Sequence, residues 1–507
     1  MKVNISNNSD FSGKEVIQLY LSSKGEIDTP INTLVAFKKT DEIPPHSNKE
    51  ISIEFKLSDF PTYDEKRHQY ILQKGEYLVS GGNSSTNLVE IAIIVLDIDV
   101  IVKDVDNVFS KPVFNDLQIK SSSNLGKTNI PSLQLDSTSI SPKKVEYNGK
   151  FSVNIPDFIK NLSTNELILL NLGDYKTGLA GIIGQSGSLI PGSAGETTLR
   201  IPALKKSMCM ADGPAGLRLI SEYKLNHKGQ YSLVEDSIWK GVKEFIPSFL
   251  TKLLDVKKNR KKKGNVIYQY CSALPIATAV AQSFNTKLAF KLGRLVNNEM
   301  KLYDIDIWLA PAMNIHRNIL CGRNFEYYSE DPYLTGMIAA SVIKGVELDG
   351  KMATIKHFAC NNQETNRFNS NSILSERALR EIYLKGFEIA IKEANPKCVM
   401  ASYNLINGVH ASESSDLLIK ILRNEWEYKG LVMTDWIATG HKNDKTSKYP
   451  AARAATCLSN GVNICMPGNK KDIKDIKKAL KKRKVSREVL ENNASIVYSY
   501  ILDEKNI

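Results

Sequence analysis

The chain has 507 residues, of which 42% are hydrophobic and 24% charged, a composition typical of folded globular proteins. A chain of this length is too long for one ordinary core and predicts two or three domains. No apolar run reaches the roughly 18 residues that a membrane-spanning helix needs, and residues 1–8 carry no apolar signal-peptide core. We therefore expect a cytoplasmic protein with no membrane contact.

The formal net charge of +12 is concentrated in two lysine-rich stretches. Residues 252–263 hold seven Lys/Arg against one Asp, and residues 470–484 hold nine against two Asp, so they contribute +6 and +7. Nucleic-acid binding would need a groove-fitting element with interleaved aromatic or polar readers, which these stretches lack. We interpret both stretches as solvated and expect no nucleic-acid partner. A nucleic-acid-associated protein stays a hypothesis that rests on charge alone.

Residues 1–102 predict an all-β domain. Runs of strand-forming residues are separated by turn signals, and they comprise Glu15–Leu21, Glu50–Leu57, Glu76–Val79 and Val89–Val102. Short strands at this spacing favour an immunoglobulin-like sandwich. Residues 103–156, which are rich in Ser, Asn, Lys and Pro, predict a linker that drapes over a neighbouring domain.

Residues 157–507 predict an α/β domain. Predicted helices, such as Thr286–Met300 and Ser375–Glu393, alternate with short apolar runs, and this alternation predicts a parallel sheet. Six or seven such units over about 350 residues favour a (β/α)8 TIM-like barrel over an open sheet. The predicted strands are Ser207–Met210, Ile305–Leu309, Met352–Ile355, Val399–Ser402, Leu431–Thr434 and Val462–Cys465, with a weaker one near Ala273–Ile276.

Polar residues follow these apolar runs. The run Leu431–Thr434 ends in Asp435-Trp436, and the carboxyl ends of parallel strands are where α/β enzymes carry their chemistry. Each cluster has a structural alternative: an Asp can set a turn, a Lys-His pair can be a salt-bridged strand end, and an Arg can be an internal tether. Their recurrence favours one site for a hydroxyl-rich ligand, since charged groups bind hydroxyls and Trp stacks on sugar rings. The other clusters are Asp212–Arg218, Gly322–Pro332, Lys356-His357-Phe358 and Tyr403-Asn404.

No motif predicts a metal or a cofactor. The seven His and seven Cys residues are dispersed, without an H-E-x-x-H or C-x-x-C pattern. Neither a phosphate-binding G-x-x-x-x-G-K-[ST] loop nor a G-x-G-x-x-G after a strand is present. We therefore expect neither a metal site nor a nucleotide cofactor.

Taken in order, these motifs resemble glycoside hydrolase family 3, the β-glucosidase and β-xylosidase type, from Gly192–Thr197 through Met466–Gly468. The resemblance implies a retaining exo-β-glycosidase, of the β-glucosidase type, that forms a covalent intermediate on the nucleophile Asp435. It implies that Tyr403 lies against the nucleophile and Trp436 beside it. It also implies that five residues grip the terminal sugar: Asp212, Arg218, Arg323, Lys356 and His357.

Two details of the family pattern bear on activity. The branch that cleaves N-acetylglucosaminides uses an Asp–His pair on the loop after the Lys-His strand, and the loop Ala359–Asn366 has no Asp-x-His. We therefore disfavour that activity. Glu376 could serve as a partner carboxylate, but it stands at a predicted helix start, where an acidic residue stabilises the helix. We assign it a structural role.

The domain order also resembles one branch of the family. Residues 1–102, notably Gly13–Tyr20, resemble its fibronectin type III-like domain, and their place before the barrel resembles the circularly permuted branch. There an α/β sandwich domain, which supplies the acid/base Glu, comes first, and we identify no such Glu in this chain. We expect a hydrolase of β-glucosides that is incomplete without a separate α/β sandwich domain or subunit.

The alternative is a non-catalytic sugar-binding or assembly subunit of a split glycosidase. Such a binder would gain little from a nucleophile. The sequence leaves the preferred sugar, the linkage, the oligomeric state and the role of the basic insertion 221–264 open.

Overall fold

The structure is a computed structural model that describes residues 1–109, 112, 130–147, 151–175, 187–225, 231–233, 265–439 and 448–502. The basic stretch 252–263 and most of the insertion 221–264 lie outside the described residues. Within the described part of the chain, no helix combines the length and apolarity that a bilayer crossing requires.

The first part of the chain forms a β-sandwich around a core that includes Leu19, Val35, Leu72 and Leu96. Its larger sheet has the strand order Ser132–Gln134, Asn87–Leu96, Gly75–Ser84, Val16–Ser23 and Thr33–Lys39. The smaller sheet has the order Lys143–Lys144, Val100–Asp104, Gln69–Leu72 and Thr62–Asp64, and a ribbon pairs Lys2–Asn7 with Ser47–Ser52.

Two predicted strands of this domain have different bounds. The run Val89–Val102 is two strands in different sheets, because the chain turns at residues 97–99, between Leu96 and Val100. The run Glu50–Leu57 is a strand only as far as Ser52, and a 3-10 turn, Leu57–Asp59, follows it.

The segment 103–156, predicted as a linker, contributes strands to the sandwich. Ser132–Gln134 pairs in parallel with Asn87–Leu96 in one sheet, and Lys143–Lys144 pairs in parallel with Val100–Asp104 in the other. The described part of this segment is therefore attached to both sheets.

Eight segments of the second part form a closed ring of backbone pairings, which we call the strand ring. Five consecutive neighbours run parallel: Cys209–Ala211, Ile307–Trp308, Met352–Phe358, Cys398–Ala401 and Leu431–Thr434. Single bridges then join Met433 to Ile464, Cys465 to Leu172, and Gly173 to Thr197, and Gly195–Glu196 pairs with Cys209 and Met210. The segment 195–197 runs antiparallel to both neighbours, unlike any strand of a regular (β/α)8 ring.

The predicted strand near Ala273–Ile276 is wrong. These residues are irregular and lead into the helix Ala277–Gln282. The ring is completed instead by the short segments at 172–173 and 195–197, which are too short to show a periodic pattern.

Helices pack outside the strand ring in one continuous apolar core. The predicted helix Thr286–Met300 spans Thr286–Leu302, and Asn285 caps it by accepting a hydrogen bond from the backbone N–H of Leu288. The predicted helix Ser375–Glu393 is divided into Glu376–Ala378, a π-helical turn Leu379–Tyr383, and Lys385–Ala394. Other α- and π-helices in the described residues are Asp157–Lys160, Thr164–Leu170, Pro332–Val346, the π-helical Asp416–Glu425, Ala454–Ser459, Lys470–Lys481 and Arg487–Leu502.

A buried ionic network joins the sandwich to the helices of the ring. Glu376 accepts hydrogen bonds from the backbone N–H groups of Val108 and Phe109, each at 3.0 Å. Arg380 lies between Glu376 and Glu425 and donates to both at 2.8 Å. Glu376 thus makes structural contacts with Arg380 and with the backbone at Val108 and Phe109.

Candidate active site

Asp435 follows the ring strand Leu431–Thr434 and is buried at its carboxyl end. Its Oδ1 accepts a hydrogen bond from the backbone N–H of Trp436 at 2.6 Å. Its Oδ2 accepts none from the described residues, and Nε2 of His357 lies 3.7 Å away. Burial raises the pKa of Asp435, and the charges of Arg323 and Lys356 offset part of this rise.

Asp212 is held by two cations. Lys356 donates from Nζ to Oδ1 at 2.7 Å, and Arg218 donates from Nη2 to Oδ2 at 2.8 Å. Burial alone would raise the pKa of Asp212, but Lys356 and Arg218 outweigh it and lower the pKa to about 2. Asp212 is therefore ionised at every physiological pH, so it can accept hydrogen bonds from hydroxyl groups but cannot donate one.

His357 is an uncharged imidazole beside Asp435. Burial and the nearby Arg323 and Lys356 charges hold its pKa well below the usual range. Asn314 fixes its backbone through two 2.9 Å hydrogen bonds, one to the His357 carbonyl and one from its N–H. The hydroxyl of Tyr327 lies 3.3 Å from Nδ1. Nε2 is thus held toward Asp435 and the cavity.

Tyr403 and Trp436 are linked to each other and to the reversed ring segment. The Tyr403 hydroxyl donates to the Trp436 carbonyl at 2.8 Å, and the Trp436 indole N–H donates to the carbonyl of Ala194 at 2.9 Å. Ala194 directly precedes Gly195–Glu196, the antiparallel ring strand. The strand that interrupts the parallel order therefore helps to orient the aromatic residue beside Asp435.

All eight predicted site residues line one cavity of about 680 Å³: Asp212, Arg218, Arg323, Lys356, His357, Tyr403, Asp435 and Trp436. Arg323 also forms an ion pair with Glu326. Burial would lower the pKa of Arg323, but Tyr327 and Glu326 outweigh it and raise that pKa, so the guanidinium is charged.

Sequence reasoning missed several lining residues, among them Arg367, Glu326 and Phe325. The guanidinium of Arg367 lies 4.7 Å from the ring centre of Tyr403 and donates to Glu364 at 2.9 Å. Arg367 stands just beyond the loop Ala359–Asn366, where only an Asp–His pair was sought. Glu326 and Phe325 lie inside the motif Gly322–Pro332, but their residue types alone do not distinguish them as residues that line the cavity.

The arrangement suits a hydroxyl-rich ring beside a reactive carboxylate. Among the carboxylates that line the described cavity, Asp212 and Glu326 are ion-paired, whereas one oxygen of Asp435 accepts no hydrogen bond. No group of three or more His, Cys, Asp or Glu side chains in the described ranges could hold a metal ion. The chemistry that these residues can supply is attack by Asp435 on a bound ligand.

Comparison with known proteins identifies the family. Residues 256–499 match the glycosyl hydrolase family 3 N-terminal domain, and residues 15–85 match the fibronectin type III-like domain. Beta-glucosidase A of Butyrivibrio fibrisolvens is 31% identical over 480 residues, which cover 86% of this chain and 51% of that protein. The chain belongs to glycosyl hydrolase family 3. A second relative, the beta-glucosidase of Ruminococcus albus, is 28% identical over 98% of this chain and 49% of its own length.

Two solved structures of beta-glucosidases are also similar to this chain. A beta-glucosidase from Paenibacillus barengoltzii matches 99% of this chain and 53% of its own, with a TM-score of 0.76 and 28% identity. Beta-glucosidase 3B from Thermotoga neapolitana, solved with alpha-D-glucose, matches 68% of this chain and 42% of its own, with a TM-score of 0.55 and 36% identity. This family 3 chain thus spans about half the length of the relatives it matches.

Proposed function

We propose that the chain carries the sugar-binding pocket and the nucleophile of a retaining exo-β-glucosidase. The observation that supports this most directly is Oδ2 of Asp435, which accepts no hydrogen bond in the described structure and borders a cavity lined by Asp212, Lys356 and Arg323. The relatives are named beta-glucosidases, so β-glucosides are the proposed substrates.

In this proposal Asp212 and Lys356 bind hydroxyls of the terminal glucose, and Arg323 and neutral His357 orient it over Asp435. Oδ2 forms a bond to the anomeric carbon while the bond from that carbon to the leaving oxygen breaks. The leaving oxygen takes up one proton. Water then loses a proton to a base and attacks the anomeric carbon of the glycosyl ester. This step releases glucose and restores the Asp435 carboxylate.

The proton donor is proposed to lie outside the described residues. A retaining glycosidase places its two carboxyl groups about 5–5.5 Å apart. Neither Asp212 nor Glu326 suits this role, because each is ion-paired with a cation. We propose that a separate α/β sandwich domain or subunit supplies the acid, as the resemblance to the permuted branch implies.

The proposed framework has a fibronectin type III-like domain at 1–102, a connecting segment at 103–156 and a TIM-like (β/α)8-type barrel at 157–507. The strand ring supports the barrel, with one strand reversed. The strands within 130–147 support an attachment of the connecting segment to the first domain.

The test is intact-mass analysis after incubation with 2,4-dinitrophenyl 2-deoxy-2-fluoro-β-glucoside. This reagent carries a leaving group that needs no acid, so it tests the nucleophile alone. We expect one fluoroglucosyl adduct per chain, and none with Asp435→Ala. The matched control is Asp157→Ala, because the Asp157 side chain is 90% exposed and lies away from the cavity; it should label normally. A folded chain that forms no adduct, or an Asp435→Ala chain that still does, would reject the assignment.

A further inference from the structure

Tyr327 is a buried residue that contacts His357 without lining the cavity. Its neighbours Phe325 and Glu326 line the cavity, whereas Tyr327 is fully buried behind it. Within the described structure its hydroxyl has two hydrogen-bond partners, Nδ1 of His357 at 3.3 Å and Nδ2 of Asn361 at 2.9 Å. Any effect of this hydroxyl on a bound ligand therefore passes through these partners.

The surroundings of Asn361 fix the orientation of its amide. Its Nδ2 donates one hydrogen to the Tyr327 hydroxyl and the other to Oε1 of Glu364, each at 2.9 Å. Glu364 is ion-paired with Arg367 at 2.9 Å, and a carboxylate can only accept hydrogen bonds. The reversed amide would turn its oxygen toward this carboxylate, so the NH2 group faces both Glu364 and Tyr327. In this orientation the amide oxygen accepts no hydrogen bond from the described residues.

The position of the ring proton of His357 follows from counting donors and acceptors. Burial raises the pKa of Tyr327 well above its usual value, so the hydroxyl keeps its single proton. The oxygen of this hydroxyl accepts from Asn361, which directs its proton to Nδ1 of His357. An uncharged imidazole has one ring proton, and a nitrogen that accepts does not carry it. The proton is therefore on Nε2, which lies 3.7 Å from Oδ2 of Asp435.

This tautomer determines what His357 presents to a ligand. His357 lines the cavity, and a protonated Nε2 is a hydrogen-bond donor at the cavity wall beside Asp435. The other tautomer would place a bare nitrogen there, so that two acceptors, Nε2 and the carboxylate oxygen, would face each other. A protonated Nε2 also cannot take up another proton while the ring stays neutral.

We propose that Tyr327 is a positioning residue that holds His357 in the Nε2–H form, so that His357 donates a hydrogen bond to an oxygen atom of the bound sugar. The inference rests on the proposed function for the identity of the ligand. Glu364 and Asn361 support it by orienting the Tyr327 hydroxyl. In this role His357 is a donor to the sugar, and it is not the base that receives the proton of the attacking water.

The direct test is nitrogen NMR of the full chain with isotope-labelled histidine rings. The signals of His357 are those that disappear in His357→Ala. We expect a protonated Nε2 and a bare, hydrogen-bonded Nδ1. Tyr327→Phe removes only the hydroxyl, so it should shift the Nδ1 resonance toward that of a nitrogen without a donor. A protonated Nδ1 in the wild-type chain, or an Nδ1 resonance that Tyr327→Phe leaves in place, overturns the inference.

Calorimetric titration with glucose measures the consequence for binding. Tyr327→Phe should weaken binding roughly two- to tenfold, the range that loss of one hydrogen bond gives. Adding Tyr327→Phe to His357→Ala should cause no further loss, because Tyr327 acts through His357. Tyr328→Phe is the matched control: Tyr328 is 5% exposed, and its hydroxyl has no hydrogen bond among the described residues. This control should leave the His357 resonances and the affinity unchanged.

These outcomes separate the inference from the proposed function. Losses that add in the double variant would contradict a route through His357. Absence of glucose binding in the wild-type chain would count against both the sugar pocket and the donor role. The expected NMR and binding results without the Asp435 adduct would keep the inference and reject the proposed catalysis. An adduct with no NMR change in Tyr327→Phe would do the reverse.

Discussion

Asp435 lies among groups that act on its charge in opposite directions. Burial raises its pKa, while Arg323 and Lys356 lower it, and burial dominates. Only the ionised carboxylate can attack, and a raised pKa means that ionisation is completed at a higher pH than for an ordinary aspartate. Asp212, with a pKa of about 2, stays ionised over the same range and adds no titration of its own.

We therefore predict that the rate of adduct formation on Asp435 rises with pH through a midpoint above about 4, the usual aspartate value. Arg323→Gln removes a cation that favours the carboxylate, so it should move the midpoint further up. Arg323→Lys should keep it closer to the wild-type value. The measurement is the rate of labelling at subsaturating reagent across pH, read by mass. A midpoint at or below the ordinary aspartate value, or a downward shift in Arg323→Gln, would contradict this account.

At this scale the sequence was informative where a polar residue follows an apolar run. Asp435, Lys356 and Tyr403 each stand at such a point, and all three line the cavity. Arg367 could not be found in this way, because it reaches the site from a loop and lies over the Tyr403 ring. Tyr270 also lines the cavity, and the short strand just before it, Asn265–Tyr268, is held by backbone pairing with Glu222–Leu225, which is distant in sequence.

Among the secondary-structure elements, the divided helix at 376–394 shows what periodicity misses. Its apolar pattern predicts a continuous helix, but the π-helical turn Leu379–Tyr383 interrupts it. Arg380 lies within this turn and is buried between Glu376 and Glu425. The rings of Tyr63 and Tyr70, from the sandwich, lie 4.8 and 5.7 Å from its guanidinium. The π-helical turn therefore occurs where Arg380 packs against two tyrosines of the sandwich domain.

Arg380→Met is predicted to destabilise the chain by about 3–5 kcal/mol, because it removes the cation that lies between two buried carboxylates and leaves Glu425 paired with Lys103, 3.6 Å away. The control is Lys344→Met, which breaks an ion pair with Glu393 whose side chains are each 48% exposed. Such surface pairs contribute about 0–1 kcal/mol. Denaturation in guanidinium chloride gives the free energy of unfolding of each variant. Equal stability losses in the two variants would show that the buried network is not a major tie between the domains.

The strand ring was predictable only in part. Five apolar runs, such as Leu431–Thr434, were long enough to be recognised and are paired in parallel. The segments at 172–173 and 195–197 could not be recognised from the sequence, because their pairings involve few residues and the segment 195–197 runs antiparallel. Such segments are specified by ring closure rather than by their own pattern.

For the whole molecule, the proposal places the nucleophile in this chain and the acid in a separate domain or subunit. This arrangement can be tested by comparing the rates of cleavage for good and poor leaving groups. If a separate domain or subunit supplies the acid, the chain alone should cleave dinitrophenyl β-glucoside but act far more slowly on methyl β-glucoside. The loss expected without general acid catalysis is about 10²–10⁴-fold, and it is greatest for poor leaving groups.

Azide provides the matching test, because it can attack the glycosyl intermediate without a general base. We predict that azide accelerates turnover of dinitrophenyl β-glucoside and yields β-glucosyl azide, as chromatography of the product would show. Chloride at the same ionic strength is the control. Equal rates on good and poor leaving groups, with no azide product, would instead place the proton donor within this chain.

The eight predicted pocket residues all fall between positions 212 and 436, on consecutive parts of one strand ring. A single segment of the chain therefore supplies all of them. Neighbouring modules could be added, exchanged or reordered during evolution without any of these eight side chains having to be rebuilt. Because these residues share one segment, a change in the order of the surrounding modules would leave the pocket whole.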